Sequence, residues 1–204
     1  MATLTPVKTL GTVMLALQNL THPATVVGSA VDVSTKFGAT IFLYHALVEA
    51  VANTNPGSFL VQVSPDASGN SNWITAFEFQ GDVASPATEA MTATEPIGET
   101  VLAVASTTGF VATNFIYIKN TTIANSEWAR ILSIVTNVSI TIIDGLTNEQ
   151  TSTSVIWGSA TLQICQLDLT SVARVRVVFQ DNGATGANVD IKASMVTHDS
   201  ILSV

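Results

Sequence analysis

Strand-forming residues recur in short alternating runs, each closed by Gly, Pro, Asn or Asp. A side-chain period of two suits a strand with one buried face, and it does not suit an amphipathic helix. The chain is therefore expected to be all-β. Ser29–Ser34 alternates, and Thr40–Val48, Phe59–Ser64 and Trp73–Phe79 are rich in strand formers. Turn residues separate them at Lys36–Gly38, Asn53–Gly57 and Pro65–Asn70. Residues 81–96 are small, polar and Pro-containing, and read as a linker. Five short strands follow: Glu99–Val104, Phe115–Ile118, Glu127–Ile134, Ser139–Ile143 and Val155–Trp157. Short strands at this even spacing are the signature of a small barrel or sandwich.

The last part returns to longer strands, Ala160–Leu169 and Arg174–Phe179. After a turn at 181–186, Asn188–Val196 sets Val189, Ile191, Ala193 and Met195 on one side. Ala46–Ala52 is the one segment where strand and helix compete. Residues 1–25 have no clean period, and Thr5-Pro6 and His22-Pro23 disfavour helix. This stretch is expected as an extended arm that docks on a neighbour, with a first strand and loop as the alternative.

Composition sets the limits on function. Charged residues are 11% of the chain against about a quarter in ordinary soluble domains, and Thr, Ser, Ala and Asn take their place on the surface. Disorder needs the opposite balance of charge and hydrophobicity. Acids outnumber bases 15 to 7, which argues against phosphate-backbone binding. The lone Cys165 cannot form an intrachain disulfide. A chain of this mass should bury about 70% of its unfolded surface, enough for one real core or a core and a satellite. Lys8 and the apolar run Val13–Leu17 fall short of a signal peptide, because Gly11, Thr12, Gln18 and Asn19 interrupt the run. Ala39–Ala52 carries Thr40, His45 and Glu49 and is too short to span a membrane as a helix. Synthesis in a cytoplasm is expected.

Three groups of motifs, taken in order, resemble a sandwich domain common in structural proteins of tailed bacteriophages. They are Ala30–Ser34, Val61–Asp66 with Asn72-Trp73, and Leu167–Val177. They match an Asp-hydrophobic-Ser/Thr opening, a Val-x-Val-Ser-x-Asp-Gly-x-x-Trp hairpin and a late strand pair carrying Arg-x-Arg. The middle unit is similar to a small inserted barrel of phage virion proteins, through Thr100–Phe110, Tyr117-Ile118, Glu127–Ile131 and Ser139–Ile142. The resemblance covers residues 26–196. The sequence departs from it at Pro65–Asn70, which is longer than a two-residue turn. It implies an antiparallel, jelly-roll-like β-sandwich from 26–96 and 158–204, interrupted by a small β-barrel at 97–157, after an arm at 1–25. It also implies a virion structural role.

No catalytic, cofactor or metal site is expected. His22, His45 and His198 lack metal-ligand spacing. Cys165 sits in an apolar run and is expected as a buried free thiol. The acids lie in turns (Asp66, Asp144, Asp181) or linkers (Glu89, Glu95, Glu99), where no pair faces one cleft. Asp32 and Asp168 each open a strand in matching contexts, so their carboxylates should accept backbone N–H groups of the following turn. Arg174 and Arg176 share a strand face. They are set either for local partners on a solvated face or for acids of another subunit. Glu127 and Arg130 should lie on opposite faces and not pair. Trp73, Trp128 and Trp157 should anchor cores, with sugar stacking as the alternative. No phosphate loop or nucleophile elbow is present. The sequons at Asn19, Asn120 and Asn137 matter only in a glycosylating pathway.

The expected protein is thus a non-enzymatic virion component, foremost a capsid decoration (cement) protein, bound to the major capsid protein or other virion proteins. A homo-oligomer, trimeric at a symmetry axis, is expected, with no nucleic-acid or membrane partner. The alternative is a head-fibre, neck or receptor-binding tail component that recognises host carbohydrate. A jelly-roll esterase or glycosidase comes third. If assembly covers the sparsely charged surface, the free subunit should expose a sizeable apolar patch.

Overall fold

The structure, a computed structural model, describes residues 5–8, 11–49, 57–69, 72–81, 86–181 and 188–201. The expected turns at 53–56 and 182–186, residues 50–52, the Asn70 end of the 65–70 turn and residues 82–85 of the linker lie outside these.

Strands β1 (Thr5–Lys8), β2 (Thr12–Leu20), β3 (Ala24–Val27), β4 (Val31–Asp32) and β5 (Gly38–Leu47) come first. Then follow β6 (Ser58–Ser64), β7 (Ile74–Gln80), β8 (Thr88–Ala90), β9 (Val101–Ala103) and β10 (Phe115–Lys119). A 3₁₀ turn at Ile123–Asn125 precedes β11 (Glu127–Val135), β12 (Ser139–Ile142) and β13 (Val155–Trp157). The last are β14 (Ala160–Asp168), β15 (Arg174–Asp181) and β16 (Val189–Ile201). Among the described residues there is no α-helix, and every strand pairing is antiparallel.

The strands form three sheets. The first runs β1-β16-β5-β14, with β2 also on β16. The second runs β3-β15-β6-β7, with β4 also on β15. The third runs β8-β13-β10-β11-β12-β9 and curls into a half-barrel. Its end strands approach each other through a single bridge, Met91 to Val104, with Thr92 N–H donating to Ala103 O at 2.9 Å.

Alternation explains the first two sheets. Ile41, Leu43, Val189, Ile191, Ala193 and Met195 turn inward from the first, and Phe59, Val61, Val175, Val177 and Phe179 from the second. All join one buried cluster. Phe59 and Phe179 meet edge to face, with centroids 5.1 Å apart. The curled sheet has its own cluster, dominated by Ile116, Ile118, Ile131, Ile140, Ile142 and Ile156. Gly28 sits where β2 and β15 come close. A Cβ there would press on the carbonyl oxygens of Met14 and Val177, so the position needs glycine.

Two expectations need correction. Residues 5–8 and 12–20, expected as an arm on a neighbour, pair along β16 of their own chain, Thr5 opposite Ile201 and Leu20 opposite Val189. Register shifts between Ile191 and Ser194 break the pairing, which is why the segment shows no clean period. Within the expected linker, Thr88–Ala90 forms β8 and pairs with β13.

Candidate functional site

Three aromatic side chains stand in one row across the curled sheet. Pairing sets Tyr117 opposite both Trp128 and Trp157, so the three share a face. That face rests on the outer side of the first sheet, where Tyr117 joins Ala46, Val48 and Ala160 in a small buried cluster. Leu17, Phe115, Trp128 and Trp157 pack around it. Trp128 Nε1 donates to His45 O at 3.3 Å, and Ser159 Oγ donates to Leu47 O at 3.2 Å.

A charged rivet crosses the same junction. Asp190 on β16 is fully buried. It accepts from Asn19 Nδ2 at 2.5 Å, and Lys119 Nζ of β10 lies 3.5 Å from its other oxygen. Tyr117 is held far above its ordinary pKa, first by burial and then by the Asp190 carboxylate beside it. The phenol therefore stays neutral and fills the junction as an aromatic body.

Beside this row the curled sheet overhangs the first sheet and leaves a groove of about 520 Å³. Leu17, Tyr44 and Lys192 line it from below, and Ser126, Trp128 and Asn148 from above. Tyr44 and Trp128 stand 5.3 Å apart, tilted by 53°. Lys192 Nζ lies 5.8 Å from the Tyr44 ring centroid. Glu127, also at the groove, faces inward chemically. Its carboxylate accepts from the backbone N–H and hydroxyl of Thr147 (2.9 and 2.6 Å), from Asn148 N–H (3.2 Å) and from Gln150 Nε2 (2.9 Å). Gln150 also bonds the buried Asn120 amide and Asn125 O, so the carboxylate holds the 147–150 segment against the strand.

On the second sheet, two guanidinium groups lie over the Trp73 ring, Arg174 at 5.0 Å and Arg176 at 4.2 Å from its centroid. Arg174 is buried and donates to Asp66 O (2.6 Å) and Ser68 O (2.9 Å), and Arg176 donates to Gln62 Oε1 (2.8 Å). Of the two readings of the arginine pair, local partners within the chain are the ones found. They fasten Asp66 and Ser68 of the turn to β15, and Trp73 packs against the two guanidinium groups, outside the buried clusters.

The remaining residues singled out in the sequence are dispersed. Asp32 accepts from the N–H and hydroxyl of Ser34 (2.9 and 2.7 Å), and Asp168 from those of Thr170 (2.8 and 2.7 Å), as their contexts implied. For Asp32 the Ser34 N–H, and for Asp168 the Thr170 hydroxyl, is the main cause of a lowered carboxyl pKa. Glu99 is lowered by the N–H groups of Val101 and Thr100. Cys165 is buried, and burial pushes its thiol up to about 11. Glu127 and Arg130 do not pair; Arg130 Nε donates to Thr113 O at 3.0 Å. Asp181, expected in a turn, ends β15 and is buried against His22 at 2.8 Å. His45 is buried with its ring 6.1 Å from Phe179, and His198 meets Thr40 at 3.0 Å. Among the described residues no group of three or more His, Cys, Asp or Glu gathers around a common point.

Sequence reasoning missed Tyr44, Tyr117 and Lys192. Their meeting with Trp128 depends on strand register and on how two sheets pack, and neither is written in local alternation. No family model, curated protein or solved structure matches the chain.

Proposed function

We propose that the protein is a non-enzymatic structural component of a tailed-phage virion, a capsid decoration (cement) protein that binds across neighbouring capsomers. In this reading the first two sheets are the two layers of a jelly-roll-like β-sandwich, and the curled sheet is the small barrel inserted into it. The motif order noted in the sequence supports the reading.

The observation that carries it is the distribution of exposed apolar side chains. Single ones are normal on any protein. Here Ile97, Val101, Leu132, Val135, Val138 and Ile143 are exposed on the β9–β12–β11 half of the curled sheet or its turns, while Val13, Val27, Phe37, Ile74, Phe77 and Ile164 are exposed on the first two sheets or their turns. Leu132 faces outward, next to the inward Ile131, at the register slip between Ile131 and Ser133. The first six are close along adjoining strands and turns, and a group of apolar side chains of this kind suits a contact surface. A subunit that buries such a face on two neighbours at once raises the cost of separating them, and many copies supply avidity. Closed symmetry favours a homo-oligomer, with a trimer as the expected form.

Copy number in purified particles tests this directly. Hundreds of subunits per virion, and retention on expanded capsids that is lost with Leu132→Asp, are expected. A handful of copies, or unimpaired retention of that variant, would sink the decoration reading.

A further inference from the structure

The groove between the first sheet and the curled sheet has a composition of its own. At about 520 Å³ it falls within the usual size of ligand clefts, about 300–1,000 Å³. We infer that it binds a saccharide carrying a carboxylate group. Tyr44 and Trp128 offer two ring faces set at an angle, and the CH-rich face of a pyranose packs on such electron-rich surfaces. Leu17 extends the apolar floor.

Charge selects the ligand class. The two ionised groups lining the groove are Glu127 and Lys192. Four donors from Thr147, Asn148 and Gln150 satisfy the Glu127 carboxylate. Lys192 has no carboxylate partner among the described residues; its ammonium lies over the edge of the aromatic floor. The groove thus holds one ammonium with no described carboxylate in contact with it, beside aromatic rings, while the charge of Glu127 remains but its oxygens are turned to the 147–150 segment. A sugar carboxylate placed over Tyr44 would reach that ammonium in a charge-assisted hydrogen bond. This inference rests on the junction geometry and is independent of the virion reading.

Titration of the full chain with a hyaluronan tetrasaccharide, in which uronic acid alternates with N-acetylhexosamine, tests it against the neutral chitotetraose. Tryptophan fluorescence and calorimetry both report binding. The acidic sugar is expected to bind about tenfold tighter than the neutral one, and Lys192→Gln to erase that margin by weakening the acidic sugar. Tyr44→Ala is expected to weaken both. Lys192→Gln, at a partly exposed position, decides the matter if Tyr44→Ala does not fold. No binding of the acidic sugar, equal binding of the two sugars, or a margin that survives Lys192→Gln would overturn the inference. Equal binding of a polyglutamate peptide would overturn it too, because the site would then be one for any acidic chain.

Discussion

The curled sheet and the two larger sheets both expose apolar side chains, Val27, Ile74, Phe77 and Ile164 on the larger ones, but they place their polar fastenings differently. The larger sheets carry their fastenings outside or at their edges: the Arg174–Trp73–Arg176 stack, the Lys36–Asp199 pair at 2.8 Å and the Asp32 and Asp168 turns. The curled sheet keeps its polar ties around Glu127, Asn120 and Gln150 at one end, and leaves Val101, Leu132 and Ile143 facing outward. Each region has its own buried cluster, so the outward apolar side chains are not a failure to fill a core. The difference teaches where each region ties itself down: the larger sheets at their edges and turns, the curled sheet at one end.

The largest way to break this comparison is to damage each core in turn. Phe179→Ala should cost about 3–5 kcal/mol and Ile140→Ala about 2–5 kcal/mol, both read by chemical denaturation. If the junction welds the regions, both variants shift one shared transition in calorimetry. Two separately moving transitions would show the junction to be weak. Asp190→Ala probes the weld itself by leaving Lys119 and Asn19 without their acceptor. Because Lys119 is partly exposed, a loss of about 1–3 kcal/mol is expected.

On the second sheet, Arg174→Ala should cost about 2 kcal/mol, because the buried guanidinium's charged hydrogen bonds to Asp66 O and Ser68 O are lost. Arg174→Lys should fail to restore it, since an ammonium cannot reproduce the planar fork. Leu132→Asp is the contrasting change. It should leave stability within about 0.5 kcal/mol while abolishing capsid retention, and a large stability loss would reassign Leu132 to the core.

The smallest effect concerns acid. Asp32 and Asp168 have lowered folded pKa values, so their contribution is fully present above the ordinary value of 3.8 and is lost as pH falls through the folded values. The double variant Asp32→Asn, Asp168→Asn should flatten the stability profile below that pH and nowhere else. Both groups are exposed, so the change should be slight.

How much of this was legible depended on whether the cue was local. Val189, Ile191, Ala193 and Met195 are read correctly because side-chain alternation is a property of the strand alone. Asp32 and Asp168 are read correctly because an Asp that bonds the residue two places on needs nothing distant. The N-terminal strands were obscured by register slips, and β8 by a stretch of Thr, Ala and Glu with little strand propensity, held by its pairing with β13. The burial of Arg174 followed from Asp66 and Ser68 folding back over it, and the groove from two sheets meeting. Neither has a local signature.

The place of β16 has a consequence for how the molecule comes into being. It is the latest strand in sequence, yet it lies between β5 and the pair β1 and β2. The earlier strands of that sheet have no partner on this side until β16 arrives. The contacts that complete it join residues at opposite ends of the sequence, and such pairings close slowly. Strands emerging on the ribosome would wait with open edges, so efficient folding should depend on a finished chain and on a low concentration of unfinished ones.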